Sequence, residues 1–258
     1  MASNPASRVP QGGPGAGAGT GGPAETVAPV ALVTAASRGM GAAIARDLAA
    51  RGYHLVLMAR SATVEELAGE LGATAVRGSV TEAADLSRMV DTALERHGRI
   101  DALVNNTGHP PKGELLAIPD EDWHAGLDLV VLNVIRMARL VTPAMERQGS
   151  GSIVNISTFA ALEPTPDFPV SATLRSALGT FARLYADRYA GSGIRMNNVL
   201  PGFVDSYPID EATGARIPLG RSGTVKEIAA TVGFLLSGDA GYITGQNIVV
   251  DGGLTRGV

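Results

Sequence analysis

Val30-Ala31-Leu32-Val33-Thr34-Ala35-Ala36-Ser37-Arg38-Gly39-Met40-Gly41 runs from a short apolar segment into a turn bearing two glycines, and a helical pattern begins at its end. Glycines let the backbone approach a bound group closely, and the start of a helix offers unpaired N–H groups and the positive end of a dipole. A turn of this kind after a first strand is the expected place for a phosphate cradle. An ordinary structural turn is the alternative. Outward from it the same alternation repeats. VALVTA, HLVLMAR, ATAVRGSV, DALVNN, GSIVNIS, IRMNNVL and QNIVVDGG are each short enough for a buried strand. Between them, amphipathic stretches at 39–51, 63–71, 82–97, 119–147, 169–189 and 224–236 read as helices. Near-continuous apolar strands alternating with helices predict an α/β fold, a parallel sheet covered on both faces.

The chain has 258 residues and is 45% hydrophobic, enough for a single large core over 29–258. Residues 1–28 are mostly Gly, Ala, Pro and Ser and are expected to be a disordered tail, since they bury too little to offset ordering entropy. With 21 basic against 25 acidic residues and no dense basic run, neither nucleic acid nor a charged membrane surface is an expected partner. No apolar run approaches a membrane span, and no export signal opens the chain, so a soluble, cytoplasmic protein acting on a small molecule is expected. The absence of cysteine excludes disulfides and thiolate chemistry. His54, His97, His109 and His124 lack the spacing of a metal site and accompany no nucleophile-elbow motif, so no metal is expected.

The turn at Thr34–Gly41 resembles the TGxxxGxG turn of short-chain dehydrogenases/reductases, with Ala35 in place of the first glycine. Asn105-Asn106-Thr107-Gly108 is similar to that family's NNAG, and Pro201-Gly202 with Ser206 to its PGxxxT. Residues 216–253 are similar to the C-terminal third of 3-oxoacyl-acyl-carrier-protein reductases. The resemblance implies a Rossmann-type doubly wound sheet, a nicotinamide dinucleotide and a homo-oligomer, a tetramer or dimer. It implies cofactor contacts at Thr34, Ser37, Arg38, Gly39, Met40, Gly41, Arg60, Asn105, Gly108, Arg175, Pro201, Gly202, Val204 and Ser206. An acid at the end of the second strand suits NAD, whereas Arg suits a 2′-phosphate. Arg60 stands there and Arg38 in the turn, so NADP is expected over NAD; Ser79 departs from an Asp that commonly contacts adenine.

The family's catalytic residues map onto altered positions. Ser176-Ala177-Leu178 and Phe181 match the run after its Lys, which puts Arg175 at the Lys position and Ser171 at the Tyr position. Thr158 falls at the Ser position, with Ser157 beside it, and Val130 at the Asn position, with Asn133 one turn on. Thr158 keeps a hydroxyl and Arg175 a charge, whereas Ser171 is a far weaker acid than a phenol, whose pKa is about 10. Ser171-x-x-x-Arg175 is compatible with binding a carboxylate or phosphate, with holding a proton-donating water, and with simple space filling. Tyr207 and His109 are further candidates for proton transfer, and Glu163 and Asp167 for capping the following helix. Three functional readings stay open. The first is an NADP(H)-dependent oxidoreductase with an atypical proton donor. The second is an impaired cofactor-binding subunit in a hetero-oligomer with a paralogous reductase, and the third is a non-redox dehydratase or isomerase.

Overall fold

The computed structural model describes residues 28–257. The expected tail lies outside them except for Ala28, which has no regular structure. One seven-stranded sheet forms from β1 (Val30–Thr34), β2 (His54–Ala59), β3 (Thr74–Arg77), β4 (Ala102–Asn105), β5 (Gly151–Ile156), β6 (Ile194–Pro201) and β7 (Asn247–Val250). The order is β3-β2-β1-β4-β5-β6-β7 and every pairing is parallel, so the doubly wound α/β sheet read from the sequence is the observed fold. The connecting helices are α1 (Gly39–Ala50), α2 (Thr63–Leu71), α3 (Ala83–His97), α4 (Asp120–Leu127), α5 (Asn133–Gln148), α6 (Pro169–Tyr189), α7 (Glu211–Ala215) and α8 (Val225–Leu236). None is long and apolar enough to cross a membrane among the described residues.

Side chains on a strand alternate between faces, and both faces here are buried. Ala31 and Val33 of β1 join Ile44 and Leu48 of α1 and Val232 of α8 in one core. Val30 and Leu32 join Leu86 and Met89 of α3 and Val141 of α5 in the other. The chain winds away from β1 in both directions, leaving a switch point between β1 and β4, where ligand crevices open at the carboxyl ends of strands.

Four asparagines stand in register across four strands: Asn105 with Asn155, Asn155 with Asn198, and Asn198 with Asn247. Each Nδ2 donates to the next Oδ1, at 2.8, 2.8 and 2.7 Å. The Asn105 Oδ1 at the row's end is buried without a partner.

Two features depart from the expected elements. The helix expected over 119–147 is interrupted, because Asp128–Leu132 forms a π turn between α4 and α5. The Nδ2 of Asn133 donates to the Leu129 carbonyl there, taking up a main-chain acceptor in the widened turn. α7 was not expected; it is five residues long, too short for apolar periodicity, and Asp210 starts it by accepting the Thr213 N–H at 2.8 Å.

Candidate active site

The glycine-bearing turn lies at the switch point. Ala36 N donates to the Met58 carbonyl at 3.0 Å, tying the turn to the end of β2, and Arg38 and Arg60 each stand two residues beyond that bond. Both arginines are exposed, and neither has a carboxylate within 4.0 Å among the described residues. Thr34 acts inside the protein: its hydroxyl donates to the Asn106 carbonyl at 2.7 Å and accepts the Asn106 N–H at 2.9 Å. That pair joins the end of β1 to the end of β4.

The start of α1 has no side-chain cap and no acid in its first turn, so its leading N–H groups and dipole are free for an anion. Gly41 is required sterically, because a Cβ there would lie 2.4 Å from the Ala35 carbonyl oxygen and 2.8 Å from Asn106 Nδ2. A Cβ on Gly39 would lie 3.6 Å from Ser206 Cβ, so the segment after β6 crosses over the turn. Pro201 ends β6, Gly202 N donates to the Val250 carbonyl at 3.0 Å, and Val204 bridges to Gly223. Ser206 and the exposed Gly108 flank the opening. Thr107 Oγ1 and Ser157 Oγ are buried without partners in the same region, as expected of groups that wait for a polar ligand. Ser79 Oγ pairs with Thr81 Oγ1 at 2.8 Å, and the Ser79 N–H, bonded to Asp85, holds that carboxyl below its ordinary range.

Beside this lies a narrow crevice, too tight for a water molecule, lined by Asn105, Thr107, Val130, Asn133, Ile156 and Arg175, among others. Asn133 and Arg175 thus meet at one cavity from α5 and α6. Arg175 is only 6% exposed and donates through Nη1 to the Ile156 carbonyl. Burial lowers its pKa to about 10, so it stays cationic at neutral pH. It makes no hydrogen bond with Ser171; its guanidinium reaches down to β5 instead. Thr158 caps a short 3-10 turn, its hydroxyl accepting the Ala160 N–H at 3.4 Å. Glu163 does not cap α6; its carboxylate takes the N–H groups of Arg256 and Gly257 instead.

Tyr207 and His109 meet outside the crevice lining, with ring centroids 5.1 Å apart in an edge arrangement. Burial first, then the charges of Arg175 and Lys112, push the His109 imidazole below its ordinary pKa. Lys112 was not singled out in the sequence; its Nζ sits 4.7 Å from the Phe168 ring centroid. No periodicity marks such a loop residue, and only the fold brings it to the start of α6.

A parallel sheet wound both ways from β1, with an uncapped glycine-bearing turn at its switch point, is the frame of a dinucleotide-binding enzyme. A family profile described as Enoyl-(Acyl carrier protein) reductase matches residues 34–255. The chain belongs to the short-chain dehydrogenase/reductase family. Among relatives of this short-chain dehydrogenase/reductase is "Dehydrogenase/reductase SDR family member 4" of Pongo abelii, 37% identical over 87% of this chain and 86% of the relative. A "3-oxoacyl-[acyl-carrier-protein] reductase" of Synechocystis sp. is 36% identical over 88% of this chain and 97% of its own. A "Granaticin polyketide synthase putative ketoacyl reductase 2" of Streptomyces violaceoruber is 38% identical over 88% and 96%. Family membership carries a general oxidoreductase role and an NAD(P)-binding fold.

Proposed function

We propose that this chain is an NADP(H)-dependent oxidoreductase that interconverts a small carbonyl compound and its alcohol, with a proton donor other than residue 171. The observation that carries this reading is the uncapped start of α1 joined to two arginines, Arg38 and Arg60, that have no acidic partner among the described residues. In this reading Ser37, Arg38, Gly39, Met40 and Gly41 hold the pyrophosphate, and Arg38 and Arg60 hold the 2′-phosphate. Asn105, Gly108, Pro201, Gly202, Val204 and Ser206 border the nicotinamide end, where the orphaned Thr107 and Ser157 hydroxyls favour a polar guest. Bound NADP(H) supplies or takes up the hydride.

The protein's own part is orientation and proton transfer. Thr158 and Ser171 offer hydroxyls to the substrate oxygen, Arg175 supplies a fixed charge, and Asn133 helps to shape the adjoining cavity. Tyr207, a phenol packed on His109, is the proposed proton donor in reduction. The chain acts as one domain and, by its family, as a homo-oligomer. A second reading, a cofactor-binding subunit supporting a paralogous reductase, draws on the loss of the phenol at Ser171.

Titration with NADPH and NADH tests the cofactor half. Arg38→Ala and Arg60→Ala should each weaken NADPH binding about tenfold, the value of a lost charge-assisted contact, and leave NADH unchanged. Equal affinity of the wild type for the two cofactors refutes it. Cofactor oxidation with a panel of small ketones tests the rest: Tyr207→Phe should lower kcat by roughly a hundredfold. Absence of turnover in the wild type, with a second reductase co-purifying, favours the supporting subunit.

A further inference from the structure

We infer that Glu163 and the segment after β7, residues 251–257, form a strap that positions the hydroxyls of Thr158 and Ser171, with Glu163 as the residue that fastens it. This rests on the reading that those two hydroxyls face the substrate oxygen, and it adds a positioning residue to that reaction.

Thr158 and Ser171 stand at the two ends of one connection, the stretch that leaves β5 and enters the first turn of α6. Glu163 lies between them. Its Oε1 accepts the Arg256 N–H and, at 2.9 Å, the Gly257 N–H, from residues 93 and 94 positions away in the sequence. A second carboxylate shapes the near end of the strap. Asp251, just past β7, accepts the Gly253 N–H at 2.9 Å and the Thr255 N–H at 2.8 Å. Four main-chain amides of one irregular segment thus have carboxylates for partners, and charge-assisted bonds of this kind are stronger than neutral ones.

What the strap holds is the connection. Leu254, between the two clamps, is buried in a small cluster with Phe159 and Ala160, which follow Thr158, and with Ala172, which follows Ser171. Ile217 joins the same cluster, and the Leu219 N–H donates to the Gly252 carbonyl at 3.2 Å, so the stretch after α7 is tied in as well. Inside the connection, the Ala160 N–H reaches back to Thr158 Oγ1, and Ser176 Oγ of α6 donates to the Ala161 carbonyl at 2.7 Å. Thr158 is therefore held through its 3-10 turn by α6 on one side and by the strap on the other. The cluster is separate from the two cores that cover the sheet, and α1 with its phosphate cradle packs in one of those. Loosening the strap thus acts on the hydroxyls and leaves the sheet and the cradle in place.

The test uses the full chain with NADPH and the small ketone that the wild type reduces fastest. A group misplaced by about 1 Å can cost up to about a hundredfold in rate, and Glu163→Ala, which frees the strap at one end only, should lower kcat about tenfold. Its NADPH affinity should stay within about twofold of the wild type and its Tm within about 2 °C, since the bonds lost are exposed. Glu163→Gln keeps a carbonyl acceptor for the two amides and should restore kcat to within about threefold. Arg256→Pro removes one donor from the other side of the same contact, and its loss should not multiply with that of Glu163→Ala. The inference is overturned if Glu163→Ala leaves kcat within about twofold, if NADPH affinity falls as far as kcat, if Glu163→Gln is as impaired as Glu163→Ala, or if the Arg256→Pro and Glu163→Ala losses multiply. Hydrogen exchange needs no turnover and separates the two claims. In the NADPH-loaded protein Glu163→Ala should speed exchange of the Ala161 and Leu162 amides, bonded within the turn, at least about threefold and leave β1 unchanged. Faster exchange there in a protein that reduces no ketone upholds the strap and sinks the redox reading. Turnover with exchange unchanged in Glu163→Ala keeps the redox reading and overturns this one.

Discussion

Ala35 is the one non-glycine among the described residues with a positive φ, at 48°, and it stands where the related turns have glycine. Its carbonyl is held there by Asn106 Nδ2 at 3.2 Å and by close approach to Gly41. The left-handed conformation costs an alanine about 1–2 kcal/mol through contact of Cβ with the carbonyl oxygen that follows. Ala35→Gly removes that cost but gives the unfolded chain more freedom, worth about 0.5–1 kcal/mol in the other direction. The net expectation is stabilisation by about 0.5–1 kcal/mol. In a domain of this size that raises Tm by about 1–4 °C. Ala35→Val, β-branched and more crowded at positive φ, should lower it. Thermal unfolding followed by circular dichroism, with and without NADPH, reads both. Because the native turn already has the conformation that glycine would adopt, NADPH affinity should change less than threefold for Ala35→Gly. A fall in Tm for Ala35→Gly, or a rise for Ala35→Val, would refute the reasoning, since the estimate requires strain at this φ to outweigh the entropy of the unfolded chain.

The asparagine row gives a second expectation. Asn155→Ala strands both Asn105 Nδ2 and Asn198 Oδ1 in the core, and at about 1–3 kcal/mol for each unsatisfied group the loss should reach about 3 kcal/mol or more in urea unfolding; a loss below about 1 kcal/mol contradicts it. A third concerns pH. Glu227, bonded by Arg221 and by Thr224 in the capping box of α8, has its pKa lowered from 4.5 to about 2. A depressed folded pKa contributes stability above the unfolded value, lost as pH falls through the folded one. Glu227→Gln should therefore be less stable than the wild type at neutral pH, with the gap closing between about 4.5 and about 2. A gap that persists unchanged at pH 2 would show that the carboxylate charge is not its source.

The sheet was legible because strands buried on both faces leave unbroken apolar runs such as Val30–Val33, a property of the chain itself. The expected helix starts fell within two residues of the observed ones, since periodicity reports them directly. What escaped was set by long-range contacts. The π turn at Asp128–Leu132 interrupts an amphipathic stretch without changing its composition, and α7 is shorter than any periodic signal. In the candidate site, the family resemblance named Arg175 at the Lys position and Asn133 one turn beyond the Asn position, and the fold brings them to one crevice. The meeting of His109 with Tyr207 and the placing of Lys112 over Phe168 depend on loops after different strands, about which local sequence carries no information.

The row from Asn105 to Asn247 has a direction: every bond runs from Nδ2 to Oδ1 in the same sense, so the spare acceptor falls at Asn105 and not at the sheet's edge. Reversing one amide would set donor against donor on one side and acceptor against acceptor on the other, so the row can reverse only as a whole. Four strands are thereby clamped at one level, and the second Nδ2 hydrogen of Asn198 ties α6 to them through the Leu178 carbonyl at 3.3 Å. The crevice thus has a stiff floor.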